Sequence, residues 1–237
     1  MFFYYDTSIL ILIPAMIFAL WAQATVQRSF KRYSRVRNQK NLTGAEAARR
    51  VLDRNGLRDV AIRPVGGSLT DNYDPRQRVL NLSQDVYGVS SVAAVSVACH
   101  EAGHAIQHAK NYIPLKVRNG IVPVVNFASH LTWPLILIGI VLLAAGSYEM
   151  SYWGNMLFNI GVIAFAAIVA FHLITLPVEL NASRRAIDQM EELDLVAQED
   201  IRGSKKVLRA AAMTYVAALA VAVANLLRIL AIRGRSD

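Results

Sequence analysis

His100-Glu101-Ala102-Gly103-His104 is the stretch of this chain whose residue types and spacing could do chemistry. Residues four apart on a helix share a face, with Cβ atoms about 5–6 Å apart. Two imidazoles so placed can both reach one Zn²⁺ at about 2.0–2.1 Å. Glu101 stands beside the first, where it could take a proton from an attacking water as general base. The setting is helical: Val92–Cys99 are small and apolar, and Ala105–His108 continue without a breaker. An ordinary amphipathic helix could carry the same five letters, so the rest of the chain must supply a third ligand.

His108 is not that ligand. A helix rises 1.5 Å per residue, which puts His108 roughly 12 Å along from His100. It reads as a surface or supporting residue. Cys99, the single cysteine, excludes an internal disulfide and reads as a small buried hydrophobe.

The helix expected from Ser90 or Ser91 to about Lys110 must be positioned by its neighbours. Before it, Thr43 and Glu46 form a capping box for a helix with Ala47, Ala48, Val51 and Leu52 on its buried stripe. Two strand-like runs follow, Asp59–Val65 and Arg78–Leu82, with Gly66-Gly67 and the turn-rich Asp71–Pro75 between them. Asp71 and Asp74 read as turn formers rather than a cation site. The second run, Val79, Leu80, Asn81 and Leu82, is a candidate exposed edge that could pair with an extended peptide.

The chain is 54% apolar with a formal charge of +8. Long apolar runs make cationic loops beside a bilayer a better account of that charge than nucleic acid. Thr7–Val26 approaches the 20 or so residues a span needs. No basic region precedes it, and Arg28, Lys31, Arg32, Arg35, Arg37 and Lys40 follow, so it reads as an uncleaved anchor. The positive-inside rule then puts the basic cluster in the cytoplasm and the N-terminus, with Asp6, outside. Leu131–Gly146, extended back toward Phe127, and Met156–Pro177 form a helical hairpin. Its loop Ser147–Asn155 carries Glu149 and aromatics but no Lys or Arg, which suits the outer face. Ala210–Leu227 could be a fourth span, but crossing would put Arg228, Arg233 and Arg235 outside. A helix packed within the protein or at the interface is preferred for it.

Just after the hairpin, Glu179 is a carboxylate delivered to the cytoplasmic face. Two histidines, a glutamate and a water make a catalytic zinc site with an open position; a plain interfacial charge is the alternative, and spacing does not exclude it. His172, two turns earlier, is either a hydrogen-bond partner of the site or a satisfied buried imidazole.

With these residues together, the chain resembles the YugP-type family of neutral zinc metallopeptidases. The matching stretches are Leu42-Thr43-Gly44, Leu69–Pro75 through Leu82-Ser83, His100–His104, Pro177–Ala186 and Ala212–Ala218. More distantly it is similar to HtpX-like membrane proteases, which pair H-E-x-x-H with a downstream Glu-x-x-x-Asp. The resemblance implies His100, His104 and Glu179 as zinc ligands and Glu101 as base. Where the HtpX-like pattern has aspartate, this chain has Ser183, so the bond that orients a ligand histidine is expected to be weaker there or to be made by Asn181. His172, Arg184 and Tyr215 are candidate oxyanion donors.

The fold expected is a mainly α membrane protein with three or four membrane helices and a small α+β zincin-like domain. Its parts are an anchor (1–26), a cytoplasmic part with the motif helix (27–126), a hairpin (127–177), and a third-ligand helix with C-terminal helices (178–237). The function expected is a membrane-anchored zinc endopeptidase acting on peptides or proteins, in a bacterial cell membrane with its zinc domain cytoplasmic. Its partners are substrate and the lipid bilayer, not nucleic acid, and oligomeric state is left open. A site-2-type intramembrane protease is an alternative. That type carries its motif in a span and takes an aspartate from L-D-G, whereas here Leu193-Asp194 precedes Leu195 and Val86–Lys110 is less apolar than the spans. A scaffold with structural zinc or none is the third reading. Structural sites are usually closed by four Cys or His ligands, and Cys99 points about 100° away from His100.

Overall fold

A computed structural model of the chain describes residues 7–233, so Asp6 and Arg235, used above to orient the spans, lie outside the described residues. After a 3-10 turn at Thr7–Ile11 come α1 (Leu12–Tyr33), α2 (Gly44–Arg54), β1 (Ala61–Val65), β2 (Asn72–Asp74) and β3 (Val79–Ser83). The short α3 (Gln84–Tyr87) leads to α4 (Val92–Ala109), α5 (Ile113–Ala144), α6 (Tyr148–Glu192) and α7 (Gln198–Arg233). The protein is mainly α, with one small sheet.

Contacts divide the chain into two units. One comprises Trp21–Lys116 and Leu176–Tyr215; the other holds Val117–Thr175 with the segments before Trp21 and after Tyr215.

The first unit carries the motif. Thr43 accepts from the Glu46 amide while the Glu46 carboxylate accepts from the Thr43 amide, so the capping box starts α2 as its sequence predicts. Its stripe of Ala47, Ala48, Val51 and Leu52 is fully buried in one core with Leu80 and Leu82 of β3, and with Ala98, Ala102 and Ile106 of α4. Ser91 caps α4 by accepting from the Ala94 amide at 3.1 Å.

The sheet corrects one expectation. Its order is β1-β3-β2, with β1 parallel and β2 antiparallel to β3. Val79, Leu80, Asn81 and Leu82 therefore lie in the central strand and have no free edge for a peptide. The extra strand comes from the stretch read as a turn. Asp71 accepts from the Ser83 amide at 2.7 Å and its hydroxyl at 3.0 Å, fastening the start of β2 to β3. Asp74 does make a turn, accepting from the Arg76 amide at 2.7 Å.

In the second unit, α5 is one helix of 32 residues with Pro123 and Pro134 inside it, longer than its apolar run suggests. It packs closely on α6. A Cβ at Gly139 would lie 2.8 Å from the Phe158 amide, and one at Gly154 would lie 2.9 Å from the Gly139 oxygen. Small residues let the two backbones approach in this way in membrane helices. Ile136, Phe158, Phe165 and Val169 form a core that α7 joins through Ala222 and Ile229.

Among the described residues, four helices are long and apolar enough to cross a membrane: Ser8–Tyr33, α5, α6 and α7. Their outward faces are apolar, with Leu20, Phe127, Val141 and Ile163 all exposed. The preference for a non-crossing C-terminal helix meets a specific observation here. The α7 residue Arg233 hydrogen-bonds Asn159 and lies over the Phe158 ring, in the α6 segment that follows the hairpin loop. Packing along the hairpin carries α7 to that end, and the Asn159 amide and the ring give the arginine polar and cation–π partners there.

Candidate active site

All three expected ligands lie in the first unit. His100 and His104 project from α4, and Glu179 from α6 just past the apolar run, on a helix that continues unbroken through Pro177. The Glu179 Oε2 atom is 3.3 Å from Nε2 of His100 and 3.4 Å from Nε2 of His104. One donor atom from each of the three lies within 4.8 Å of the others, and Glu179 is 3% exposed.

Those separations are long for charge-assisted hydrogen bonds, which run about 2.7–2.9 Å. They match the edge of a coordination tetrahedron: donors at about 2.0–2.1 Å from one zinc stand about 3.3–3.4 Å apart. Two imidazoles, one carboxylate and an open position is also the donor set of a catalytic zinc.

The tautomer of His104 agrees. The Gln107 side chain donates through Nε2 to the Val178 carbonyl at 2.8 Å and to Asn181 Oδ1 at 3.0 Å. Its Oε1 then faces Nδ1 of His104 at 3.0 Å, so that nitrogen is the donor. With Nδ1 as the donor, Nε2 is the nitrogen left to bind a metal, and it faces the Glu179 carboxylate. The residues fit a zinc ion.

Ser183 supports the other histidine, with Oγ 3.1 Å from Nδ1 of His100. Asn181 acts one step further out, accepting from Gln107 and from Nε of Arg185 at 2.8 Å. Such partners fix ring orientation and tautomer.

Gly103 explains the spacing of the two helices. A Cβ there would lie 2.7 Å from the Ala182 carbonyl oxygen, so only glycine lets α4 meet α6 this closely. Neither Gly103 nor Gln107 was singled out from sequence. The available signal for Gln107 was a polar residue on the buried face, three positions after a candidate ligand.

Glu101 is buried, and desolvation pushes its carboxyl up to about 7. The Tyr73 backbone lowers it in part. Tyr73 belongs to β2, an edge strand of the sheet. His108 points away into a 2.9 Å hydrogen bond with the Tyr73 hydroxyl. Burial pushes the Cys99 thiol up to about 12, as suits a core residue.

The remaining candidates are more dispersed. His172 lies in the second unit, its ring edge-on to Phe171. Arg184 is exposed, and Tyr215 is half-buried on α7.

The family described as "Putative neutral zinc metallopeptidase" matches residues 8–234. This chain belongs to that family. It is also 47% identical to the "Putative membrane protease YugP" of Bacillus subtilis (strain 168), over 97% of this chain and 98% of that protein. No solved structure matches. Zinc is thus the metal of the zinc metallopeptidase family, and His100, His104 and Glu179 are the group positioned to hold it.

Proposed function

We propose that the chain is a membrane-anchored zinc endopeptidase that hydrolyses peptide bonds of protein substrates from the cytoplasmic face of a bacterial cell membrane. The observation that carries this reading is the Glu179 carboxylate at 3.3 and 3.4 Å from the Nε2 atoms of His100 and His104, with Glu101 beside the first histidine. When bound, zinc supplies Lewis-acid polarisation of the scissile carbonyl and makes water a usable nucleophile near neutral pH.

The chain's own residues do the rest. His100, His104 and Glu179 hold the ion, while Ser183 and Gln107 keep the two imidazoles oriented. The Glu101 carboxylate takes the proton of the attacking water and returns it to the departing amine nitrogen. With β3 enclosed, the edge for pairing with an extended substrate passes to β2, whose Tyr73 hydroxyl bonds His108 on the motif helix. His172, Arg184 and Tyr215 stay as candidates for oxyanion stabilisation.

The intramembrane reading is weaker, because α4 is not among the helices apolar and long enough to cross. Its fully buried Ala98, Cys99 and Ala102 belong to the core shared with α2 and the sheet. The scaffold reading leaves the buried Glu101 without a purpose.

Purified protein in detergent should cleave an unfolded protein only when zinc is present. Glu101→Gln should retain zinc while losing on the order of 10²–10⁴-fold in rate. Full activity in the zinc-loaded variant contradicts the assignment.

A further inference from the structure

Four cations from two helices distant in sequence converge on one cavity of about 460 Å³ in the first unit. Arg28 and Arg32 come from α1, Lys206 and Arg209 from α7, and the hydroxyl-bearing Ser29 and Tyr33 line the same space. The approach of the two helices is built into the packing. A Cβ at Gly203 would stand 2.7 Å from a carbon of the Tyr33 ring, so glycine lets that ring close on α7. Gln39 then ties the chain after α1 to the start of α7, its amide donating to Asp200 at 3.0 Å and its side chain to Glu199 at 2.8 Å.

Like charges held together call for an anion, and the nearby carboxylates are engaged elsewhere. Glu191 pairs with Lys205 at 2.7 Å, Asp194 pairs with Lys40, and Gln39 occupies Glu199 and Asp200. Among the described residues none of the four cavity cations has a carboxylate partner. Arg28 Nε donates to the Ala24 carbonyl at 3.1 Å, and Arg32 lies over the Tyr33 ring.

The level of the cavity narrows the choice of anion. Arg28 follows the apolar run that ends near Val26, and Arg209 immediately precedes the run that begins at Ala210. Both borders belong to helices long enough to cross a bilayer, so on the membrane reading the cations stand at the level of lipid phosphates. A general positive-inside bias only requires cations somewhere on this face. Here Lys31 and Arg35 stay outside the cavity while four others share it.

We propose that this cavity binds the phosphate headgroup of an anionic phospholipid, phosphatidylglycerol being the simplest. Guanidinium forks from Arg28, Arg32 and Arg209 match phosphate oxygens bidentately, and Lys206 adds a point charge. The site rests on the membrane reading and is independent of the peptidase chemistry.

The test is lipid binding to the delipidated full chain in neutral detergent, read by native mass spectrometry, with zinc content measured on the same samples. Phosphatidylglycerol should bind, and phosphatidylcholine and inorganic phosphate should not. A basic residue that meets the lipid headgroup contributes on the order of fivefold, so Arg32→Gln with Arg209→Gln, both lining the cavity, should weaken binding by about thirtyfold. Lys31→Gln with Arg35→Gln, at the same level but outside the cavity, should change it less than about twofold. If the first pair fails to fold, Lys206→Gln alone should cost about fivefold. Equal binding of both lipids, or unchanged binding in the cavity variants, overturns the proposal. So does an equal loss in the control pair, or inorganic phosphate competing as well as the lipid. Zinc content is expected to be unaffected throughout, which keeps a failure here separate from a failure of the peptidase reading.

Discussion

Gln107 Oε1 lies 3.0 Å from Nδ1 of His104, while Nε2 of the same amide is committed to the Val178 carbonyl and to Asn181. One buried side chain thereby sets the tautomer of a histidine on α4 and holds it against the α6 turn that carries Glu179. Gln107→Met keeps the length but removes both functions. Zinc affinity should fall about 10–100-fold, the usual cost of losing a partner that orients a ligand histidine. A competitive chelator titration reads this directly, and an unchanged affinity would remove Gln107 from the site.

Gly103→Ala should act on the same spacing through sterics. The added Cβ meets a backbone oxygen at 2.7 Å, which cannot rotate aside, so α4 and α6 must separate. Overpacking of this kind costs about 1–3 kcal/mol, and zinc binding should weaken with it. Gly120→Ala, where a Cβ meets nothing within 4 Å, is the matched control and should leave zinc binding as it is. Thermal unfolding and zinc titration of the two variants decide the matter.

Topology is testable by thiol labelling in intact cells. The native thiol gives little background, because Cys99 is fully buried and hard to ionise. A cysteine at Glu149, exposed in the first turn of α6 rather than in the longer loop expected from sequence, should react with an impermeant reagent, and one at Gln77 beside β2 should not. The Arg233–Asn159 bond predicts that a cysteine appended to the C-terminus reacts as Glu149→Cys does, giving four spans. Labelling of Gln77→Cys alone would invert the orientation, and a protected C-terminus would return the count to three.

The parts legible in sequence were those with local signatures. The capping box at Thr43 and Glu46, the extent of α4, and the hairpin runs all follow from spacing within one element. Glu179 was reached by a different route, through the setting of its motif and the family resemblance rather than through geometry. What failed to show was set by contacts between distant segments. β2 exists because Asp71 is clamped by Ser83, and a polar stretch before Pro75 gives no alternation to announce a strand. Its presence encloses Val79–Leu82, which alone look like an edge. Gly103 looked like a permitted letter inside the motif until the Ala182 carbonyl appeared opposite it. Arg233 at the end of α7 counted against crossing in sequence because its partners, Asn159 and the Phe158 ring, lie in another helix.

The central claim is that Glu179 completes a zinc site with His100 and His104, and zinc content per chain tests it most directly. Purified wild-type protein should hold about one zinc, as a three-ligand catalytic site does. Glu179→Ala should lose most of it together with all peptidase activity. Glu192→Ala, whose carboxylate only accepts from Gln189 at 2.9 Å, should keep both. A folded Glu179→Ala protein that still carries a full equivalent of zinc would contradict the account.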